Sequence, residues 1–367
     1  MGGVSMETYK LSDLCVILDA KRKPLSALQR AKKQGIYPYY GAQGIIDHLD
    51  DYLLDGEYLL VAEDGANLET RNQPIANIAK GKIWVNNHAH VLGSNGKCPL
   101  NLLGFILNNM NISPYVTGCA QPKLNQENLR NIEIELPSHI DSIASILSSL
   151  DRKIELNNKI NADLEEMAQA IFKNWFVDFE PFKDGKFVDS ELGMIPEGWK
   201  VGCLGDLITI KYGKDHKKLD DGTFPVYGSG GFIRFVNSWL YDGESVLIPR
   251  KGTLDNIMYV CEKFWTVDTM FFSVPKMDYV MKYVYNYIKR FDFSKMNEGT
   301  SVPSNTAARL NKMPILIPTH EILEMYDETL CPIYNKRKMK DKESRTLSLL
   351  RDTLLPRLMS GELEVSE

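Results

Sequence analysis

Apolar residues recur at alternating spacings of three and four over residues 140–176, and the same pattern returns over residues 320–358. This spacing is typical of the seam of a long α-helix that packs against another helix in a coiled coil. A helix over residues 140–176 has 37 residues, which at about 1.5 Å per residue gives a length of about 55 Å. Such a helix is longer than a small domain is wide, so we expect the two helices to pack against each other.

Each predicted seam is apolar at its ends and polar in its middle. Ser138 and Thr319 precede the two patterns and are plausible N-caps. In the polar middle, Asn157 and Asn161 either fix the register of the helices or reach solvent where the seam opens. The apolar seam positions are Ile143, Leu147, Leu150, Ile154, Leu164 and Ile171 in the first helix, and Tyr326, Leu330, Ile333, Leu347, Leu354 and Leu358 in the second.

The segments before these helices have a different pattern, in which short β-rich runs are separated by Gly and Pro. YLLVA, KIWV and SVLIPR are examples, and candidate helices lie near residues 100–110 and 278–290. Short β-rich runs mixed with occasional helices indicate mixed domains. The sequence therefore predicts an α+β fold with two long helices.

One unit of sequence occurs twice. Residues 116–139 align without a gap with residues 297–320 at an offset of 181, which places Gly118 on Gly299 and Trp84 on Trp265. Two copies at this period are a duplicated module and not a solenoid. The predicted organisation is a first domain (1–139), a first helix (140–177), a linker (178–196), a second domain (197–319) and a second helix (320–362).

Composition and charge narrow the class of protein only slightly. The chain has 367 residues and a net charge of −5, and only the second domain is net basic, with 16 basic and 13 acidic residues in 197–320. The six cysteines form no CxxC pair, which argues against a disulfide framework or a zinc site. Neither a long apolar run nor a secretory leader is present. We therefore expect a cytoplasmic protein.

Several segments, in the right order, resemble the specificity subunit of type I restriction-modification systems. The resemblance covers essentially the whole chain. The segments are YPYYGAQGIID, LLVAEDGA, WVNNHAHVL, WFVDFEPF, GMIPEGW, PVYGSGGFI and LLRDTLLPRLMSGEL.

The resemblance implies two target recognition domains, separated by two conserved helices that form an antiparallel coiled coil. Each domain is then expected to read one half of a bipartite double-stranded DNA target. The helices are expected to bind two modification (methyltransferase) subunits, which restriction subunits join. It also implies that the chain is no enzyme and needs no cofactor or metal. In agreement, the sequence lacks a GxxxxGK[ST] loop, a GxGxxG cradle and an NPPY-like motif.

The candidate DNA contacts are basic and polar residues that fall at corresponding places in the two copies. Such side chains bind phosphates and base edges, but each also suits a solvated loop. In the first copy they are Lys21, Arg22, Lys23, Gln121, Lys123 and Asn125, and in the second copy Lys214, Lys217, Lys218, Arg250, Lys251, Ser304, Asn305, Thr306 and Arg309.

Alternatives remain open from the sequence. The chain could be a coiled-coil adaptor whose domains bind protein, or a methyltransferase in its own right. His88 and His90 form an HxH that could bind metal, but the second copy has Thr269 and Phe271 there, which favours a structural role. The glycine-rich sequence at 228–231 lacks the spacing and the lysine of a phosphate loop, which favours a turn.

Overall fold

The chain forms two compact units in the computed structural model. One unit consists of residues 1–156 and 343–367, and the other of residues 157–342. The division falls inside both long helices, so each unit contains one mixed domain and a part of each helix. The residues that the structure describes are 6–118, 121–137, 140–293 and 304–363.

The first domain combines a large sheet, a two-stranded ribbon and short helices. Its strands are β1 (Met6–Lys10), β2 (Cys15–Ile17), β3 (Gln34–Gly41), β4 (Gly44–Leu49), β5 (Leu54–Ala62), β6 (Ala76–Val85), β7 (Ala89–Ser94) and β8 (Glu133–Pro137). Its helices are α1 (Leu11–Leu14), α2 (Ala27–Ala31), α3 (Asn67–Thr70), α4 (Leu100–Asn109) and α5 (Gln126–Arg130).

The large sheet has six strands in the order β2-β7-β5-β6-β3-β4, and β1 pairs with β8 separately. All neighbours in the sheet are antiparallel except β3 and β6, which run parallel and pair Tyr39 with Trp84. The central strand β5 is buried over Leu59–Ala62, because α4 covers one face. Gly104 permits that contact, since a Cβ at this position would lie 2.8 Å from a methyl group of Leu59.

The second domain repeats this design. Its strands are β9 (Phe187–Val188), β10 (Ile195–Pro196), β11 (Lys200–Cys203), β12 (Ile208–Tyr212), β13 (Phe224–Gly228), β14 (Gly231–Val236), β15 (Tyr241–Pro249), β16 (Met258–Thr266), β17 (Met270–Pro275) and β18 (Pro314–Ile317). Its short helices are α7 (Leu204–Leu207), α8 (Met281–Ile288) and α9 (Ala307–Asn311).

The strand order of the second large sheet is β12-β17-β15-β16-β13-β14, which matches the first sheet strand for strand. The parallel pair recurs as β13 with β16, and β11 pairs with β18 as β1 does with β8. The hairpin of β9 and β10 is an addition that precedes the second copy. The two domains are therefore copies of one fold, as the internal repeat predicted.

The long helices are α6 (Ile140–Phe176) and α10 (His320–Met359). In the first unit, Ile143 and Leu147 of α6 share a buried cluster with Leu355 and Leu358 of α10. Since residues early in α6 meet residues late in α10, the helices pack antiparallel there. A 2.7 Å ion pair between Asp151 and Arg351 follows the same direction.

The helices are also antiparallel within the second unit. Phe172 of α6 shares a buried cluster with Tyr326 and Leu330 of α10, and Glu165 forms a 2.5 Å ion pair with Arg337. These observations confirm the predicted α+β class, with two similar mixed domains and two long helices that pack antiparallel. Among the described helices, none has the combination of length and apolarity that crossing a membrane requires.

Candidate nucleic-acid interface

A tryptophan near the end of one strand fixes the lysine-bearing segment of each domain. In the first domain, the indole of Trp84 donates a hydrogen bond to the carbonyl of Lys23 at 2.7 Å. In the second domain, Trp265 donates in the same way to Lys214 at 2.9 Å. Each lysine amide in turn donates to the carbonyl of the residue after the tryptophan, at 3.1 Å and 2.9 Å respectively. Lys23 and Lys214 thus occupy the same position of the repeated fold.

The lysines of these segments have side chains in solvent. Lys21 and Lys23 are exposed in the first domain, and Lys214, Lys217 and Lys218 are exposed in the second. Because the tryptophan holds the main chain, these ammonium groups can reach an anion without rearrangement of the fold. This combination of a fixed backbone and exposed cations is suited to phosphate contacts.

Arg22 differs from the lysines beside it in its surroundings. Its side chain is only 15% exposed and forms ion pairs with Glu63 at 2.6 Å and Asp19 at 3.3 Å. It also donates to the carbonyl of Ala89 at 2.9 Å. Arg22 is therefore committed to acceptors inside the domain and is a structural residue.

The second group of first-domain candidates lies in the described residues 117–118 and 121–126, which we call the first reading loop. Thr117 and Lys123 exchange backbone hydrogen bonds of 2.8 and 2.7 Å that close the loop. Gly118 adopts a φ of +93°, and a Cβ there would lie 2.5 Å from the carbonyl oxygen of Gln121. The turn at the start of the loop therefore requires glycine.

Side chains of the first reading loop differ in their availability. Gln121 is exposed, and Lys123 is 52% exposed beside Glu63 at 3.1 Å. The side chain of Asn125 instead caps α5, accepting a hydrogen bond from the amide of Asn128 at 2.8 Å. Gln121 and Lys123 thus present their side chains to solvent, whereas the Asn125 side chain caps a helix.

In the second domain, two candidates also have structural tasks. Asn305 is 4% exposed and donates its amide group to the carbonyl of Pro249 at 2.9 Å. Thr306 caps α9 by accepting a hydrogen bond from the amide of Arg309 at 3.3 Å. The Asn305 side chain is therefore engaged inside the domain, and its proposed contact with DNA stays a prediction. Gly299 and Pro303 of the repeat lie outside the described residues.

Arg250, Lys251 and Ser304 are brought together in the second domain. The backbone amide of Asn305, next to Ser304, donates to the carbonyl of Arg250 at 3.0 Å. The Arg250 guanidinium lies 4.9 Å from the ring centre of Tyr212 and donates to the carbonyl of Asp268 at 2.8 Å. Lys251 is exposed and Ser304 is partly buried. Arg250, Lys251 and Ser304 thus lie near the end of β15.

The sequence of this chain matches the model of a known protein family. The sequence profile described as the type I restriction modification DNA specificity domain matches residues 3–166 and again residues 196–340. The two matches together cover most of the chain and coincide with the two copies of the repeat. The chain belongs to this family.

Individual members of the specificity family show the same relationship. The specificity subunit of the type I restriction enzyme MjaIX from Methanocaldococcus jannaschii is 28% identical over 289 residues, which cover 68% of this chain and 65% of that protein. A putative type I restriction enzyme specificity subunit, S.HindORF215P from Haemophilus influenzae, is 26% identical over 89% of this chain and 88% of its own length.

A solved structure agrees on the fold of this specificity-family chain. The S subunit of a type I restriction-modification system from M. genitalium superposes with a TM-score of 0.54 at 17% sequence identity. The superposition covers 100% of this chain and 98% of that one. The shared fold is thus not confined to one of the two units.

Behind the first reading loop of this specificity-family chain lies a buried polar network that the sequence did not single out. His90 is 0% exposed and its Nδ1 lies 2.6 Å from the carboxylate of Asp19. Its Nε2 lies 2.7 Å from the carbonyl of Leu124, within the loop. Asp19 also accepts hydrogen bonds from the Gln126 side chain and the Val91 amide. The network therefore joins the sheet to the loop.

The environment of Asp19 keeps its carboxyl group charged. Burial alone would raise its pKa, but the hydrogen bond and charge of His90, the Val91 amide and the charge of Arg22 together lower the pKa of Asp19 below its ordinary value. Because the pKa of Asp19 is lower in the folded chain than in the unfolded chain, the ionised carboxylate stabilises the fold at pH values above the unfolded-state pKa. The stabilisation is lost as pH falls through the lowered value.

Asp19, Glu63 and His90 have the residue types of a metal site, with ligand atoms within 4.8 Å of one another. Each carboxylate oxygen already has a partner, however. Those of Glu63 lie by Arg22 and Lys123, and those of Asp19 by His90 and the Val91 amide. With both ring nitrogens of His90 also bonded, this cluster is a satisfied core network.

The remaining sequence motifs have structural positions. The glycine-rich residues 228–231 form the turn between β13 and β14, where Gly231 has a φ of +111°. His88 of the HxH lies at the surface, with Nδ1 2.7 Å from Asp64, and is separate from the buried His90. The sequence signal for the tryptophan that holds each lysine segment was the alignment of Trp84 with Trp265, since residues kept in both copies occupy the same place in the repeated fold.

Proposed function

We propose that the chain is the DNA specificity subunit of a type I restriction-modification complex and performs no catalysis itself. Each domain reads one half of a bipartite target in double-stranded DNA. The long helices act as a spacer and as a scaffold for two modification subunits, which restriction subunits join in the full complex, in the cytoplasm. Family membership and the names of the relatives support this assignment.

The observation that carries the proposal is that one fold occurs twice, with a lysine held by a tryptophan at the same place in both copies and with different residues in the neighbouring loops. Trp84 and Trp265 hold Lys23 and Lys214 in the same way. Each domain can therefore offer the same lysine contact to the DNA phosphates of its half of the target. The side chains at the neighbouring sheet edge differ, with Glu63 and Asp64 in the first copy and Arg250 in the second. Phosphate contacts position a protein on DNA and differing side chains specify sequence.

The net charge of −5 supports a dependence on partners. Nonspecific attraction of a protein to DNA comes largely from neutralised phosphates, and an acidic chain provides little of it. We expect the chain to bind its target tightly only together with modification subunits. Equal affinity of the isolated chain and the complex at the same salt concentration would contradict this part of the proposal.

Co-expression with the cognate modification subunit, followed by mapping of methylated adenines, tests the central assignment. We expect methylation at a motif with two specified halves separated by an unspecified spacer. Omitting this chain should abolish methylation at that motif. Methylation of the same sites without the chain would overturn the proposal. Methyl transfer by the purified chain alone, with labelled S-adenosylmethionine, would instead show that the chain is an enzyme.

Neutralising the anchored lysines separates DNA readout from an adaptor function. The double variant Lys21→Ala/Lys23→Ala and the triple variant Lys214→Ala/Lys217→Ala/Lys218→Ala each remove exposed cations. If these cations neutralise phosphates, the slope of log affinity against log salt should fall by about 0.9 for each phosphate that is no longer neutralised.

The matched control for these variants is Lys186→Ala/Lys200→Ala, which removes two exposed lysines outside the anchored segments. We expect the control complex to keep the affinity and salt slope of the unchanged complex. Unaltered DNA affinity and slope in both test variants would favour the coiled-coil adaptor, in which the domains bind protein.

A further inference from the structure

His90 is placed to hold the first reading loop through both of its ring nitrogens. Nδ1 faces an Asp19 carboxylate oxygen at 2.6 Å and Nε2 faces the Leu124 carbonyl oxygen at 2.7 Å. A carbonyl oxygen can only accept a hydrogen bond, and an ionised carboxylate can only accept one as well. Both ring nitrogens must therefore carry a proton, which makes the ring an imidazolium.

The charged groups around His90 come from each element packed on it. Asp19 and Arg22 lie on the segment between β2 and α2. Glu63 lies 3.9 Å away just after β5, and Lys123 lies on the loop beside Glu63. Because the pKa of Asp19 is lowered, its carboxylate is ionised and cannot donate to Nδ1. The negative charges of Asp19 and Glu63 balance the positive charges of Arg22 and Lys123. The charge on the buried ring is stabilised by the two acceptors of its hydrogen bonds, the Asp19 carboxylate and the Leu124 carbonyl.

The network reaches the reading loop at successive residues. Besides the bond from His90 to the Leu124 carbonyl, the Leu124 amide donates to the carbonyl of Glu63 at 2.8 Å. Gln126 donates to Asp19 at 3.1 Å. The exposed Gln121 and Lys123 lie immediately before this tethered stretch. The bonds of His90 and Asp19 therefore fix the end of the loop, while the backbone bonds between Thr117 and Lys123 close it nearer the exposed residues.

We propose that His90 is a positioning residue for DNA readout by the first domain, and that it acts only as the doubly protonated ring. This inference rests on the proposed function. When pH rises and one ring proton is lost, either Asp19 or the Leu124 carbonyl is left without a donor. Losing a hydrogen bond to a buried or charged group lowers the equilibrium constant for docking of the loop by about tenfold.

The second domain provides an internal control. Its sheet has the same register, with Ile17 opposite Leu92 in the first domain and Ile210 opposite Ser273 in the second. From these pairs, the places of Asp19, Glu63 and His90 are taken by Tyr212, Arg250 and Phe271. The Arg250 guanidinium packs 4.9 Å and 5.3 Å from the two rings.

Among the described residues, the contact at this place in the second domain is made by Tyr212, Arg250 and Phe271, and no histidine takes part in it. The loop there is held by the Asn305 side chain and amide, which bond to the carbonyls of Pro249 and Arg250. The second domain therefore has no counterpart of the buried His90. His216, which lies between Lys214 and Lys217 and contacts Arg234, is replaced by glutamine in all complexes that are compared, so that the second half of the target can serve as the reference.

The test uses the complex with modification subunits and its mapped bipartite target. Affinities are measured at about pH 6 and about pH 9, on either side of ordinary histidine titration, for DNA with the full target and with each half replaced in turn. We expect discrimination at one half to fall about tenfold at the higher pH and discrimination at the other half to stay constant.

Two variants assign that effect to His90. His90→Phe copies the residue of the second domain, and it should lower discrimination at the same half and make it independent of pH. His88→Gln is the matched control, because His88 is half-exposed and pairs with Asp64 at the surface. The control should retain the pH dependence of the unchanged complex. Persistence of that dependence in His90→Phe would overturn the proposal.

A measurement on the unchanged chain covers the case in which His90→Phe does not fold. Nitrogen NMR of the histidine rings at about pH 6 should show two protonated nitrogens for His90, and a neutral ring would overturn the proposal. Equal pH dependence at both halves would also overturn it. If instead the complex prefers no sequence at either pH, the proposed function has failed and not merely the role of His90.

Discussion

Asn157 is a buried polar residue without a compensating partner in the described part of the chain. It is 0% exposed, and neither the oxygen nor the nitrogen of its side-chain amide has a hydrogen-bond partner among the described residues. Desolvating an amide without replacing its hydrogen bonds lowers stability. In coiled coils, a buried polar residue at a seam position fixes the register of the helices and lowers their stability. The burial of Asn157 favours this role over the alternative in which its side chain reaches solvent.

The substitution Asn157→Leu should therefore raise the free energy of unfolding by about 1 kcal/mol, since it removes an unsatisfied amide. Urea unfolding followed by circular dichroism measures the change. Asn161→Leu is the comparison, because the Asn161 amide donates to Asp341 at 2.6 Å. That variant removes one formed hydrogen bond together with an oxygen that has no partner among the described residues, so it should be stabilised less than Asn157→Leu. A loss of stability in Asn157→Leu would contradict the account.

At the same scale, residue type and the repeat could select candidate contact residues, but they could not show which of these residues have partners inside the domain. Lys23 and Lys214 could be selected from the repeat, because a basic residue recurs in both copies before the glycine-containing strand. Arg22 could not be separated from its lysine neighbours, since its partners Glu63 and Asp19 are defined only by the folded sheet. The same holds for Asn305, whose buried hydrogen bond joins residues 56 apart in sequence.

Among the elements, the end of α6 packs more broadly than a two-helix seam. Phe172 and Phe176 are 1% and 5% exposed, and Phe176 lies 4.6 Å from Tyr283 of α8 and 4.7 Å from Tyr326 of α10, ring centre to ring centre. The helix therefore contacts both α10 and the second domain. Aromatic pairs in this edge-on geometry add to the stabilisation from burial.

Phe176→Ala should lower the free energy of unfolding by about 3 to 5 kcal/mol, because it leaves a cavity among buried aromatic rings. Met167→Ala, on an exposed position of the same helix, should change it by less than about 0.5 kcal/mol. Guanidinium unfolding monitored by tryptophan fluorescence compares the two variants. Similar small effects from both would mean that the end of α6 is not part of the core.

The 3,4 spacing predicted the elements α6 and α10 well, and the structure has helices over Ile140–Phe176 and His320–Met359. It selected Ile171 as a seam residue but not Phe172, which is more deeply buried. A heptad pattern assumes one partner helix, and here α8 and the domain core enlarge the contact face. The strand order was not predictable, since it depends on pairing between strands distant in sequence.

For the whole molecule, the two compact units do not follow the chain in the same way. The second unit is one continuous segment, residues 157–342, whereas the first needs residues from both ends of the chain. Leu355 and Leu358 of α10 are 2% and 5% exposed in the core of the first unit. The first domain is thus completed by residues more than 200 positions after its last strand.

A fragment of residues 157–342 should therefore fold by itself with a cooperative thermal transition. A fragment of residues 1–156 should be strongly destabilised, because losing two buried leucines alone removes about 4 to 10 kcal/mol of a total stability of about 5 to 15 kcal/mol. Circular dichroism melting curves of the two fragments test this.

The control joins residues 1–156 to residues 343–367 through a flexible linker. This linked polypeptide lacks the second unit but restores the two leucines to the first, so it should regain a cooperative transition. Cooperative melting of residues 1–156 alone, at the temperature of the linked form, would show that the C-terminal segment contributes nothing to the first unit.

The division of the first unit between the chain ends bears on how the protein is made. The ribosome polymerises all of residues 157–342 before it adds residues 343–367, so every residue of the second unit is made before the segment that completes the first unit. Until translation ends, Ile143 and Leu147 lack their leucine partners. Premature termination near residue 342 would consequently release a polypeptide with one finished reader and one that exposes an apolar surface.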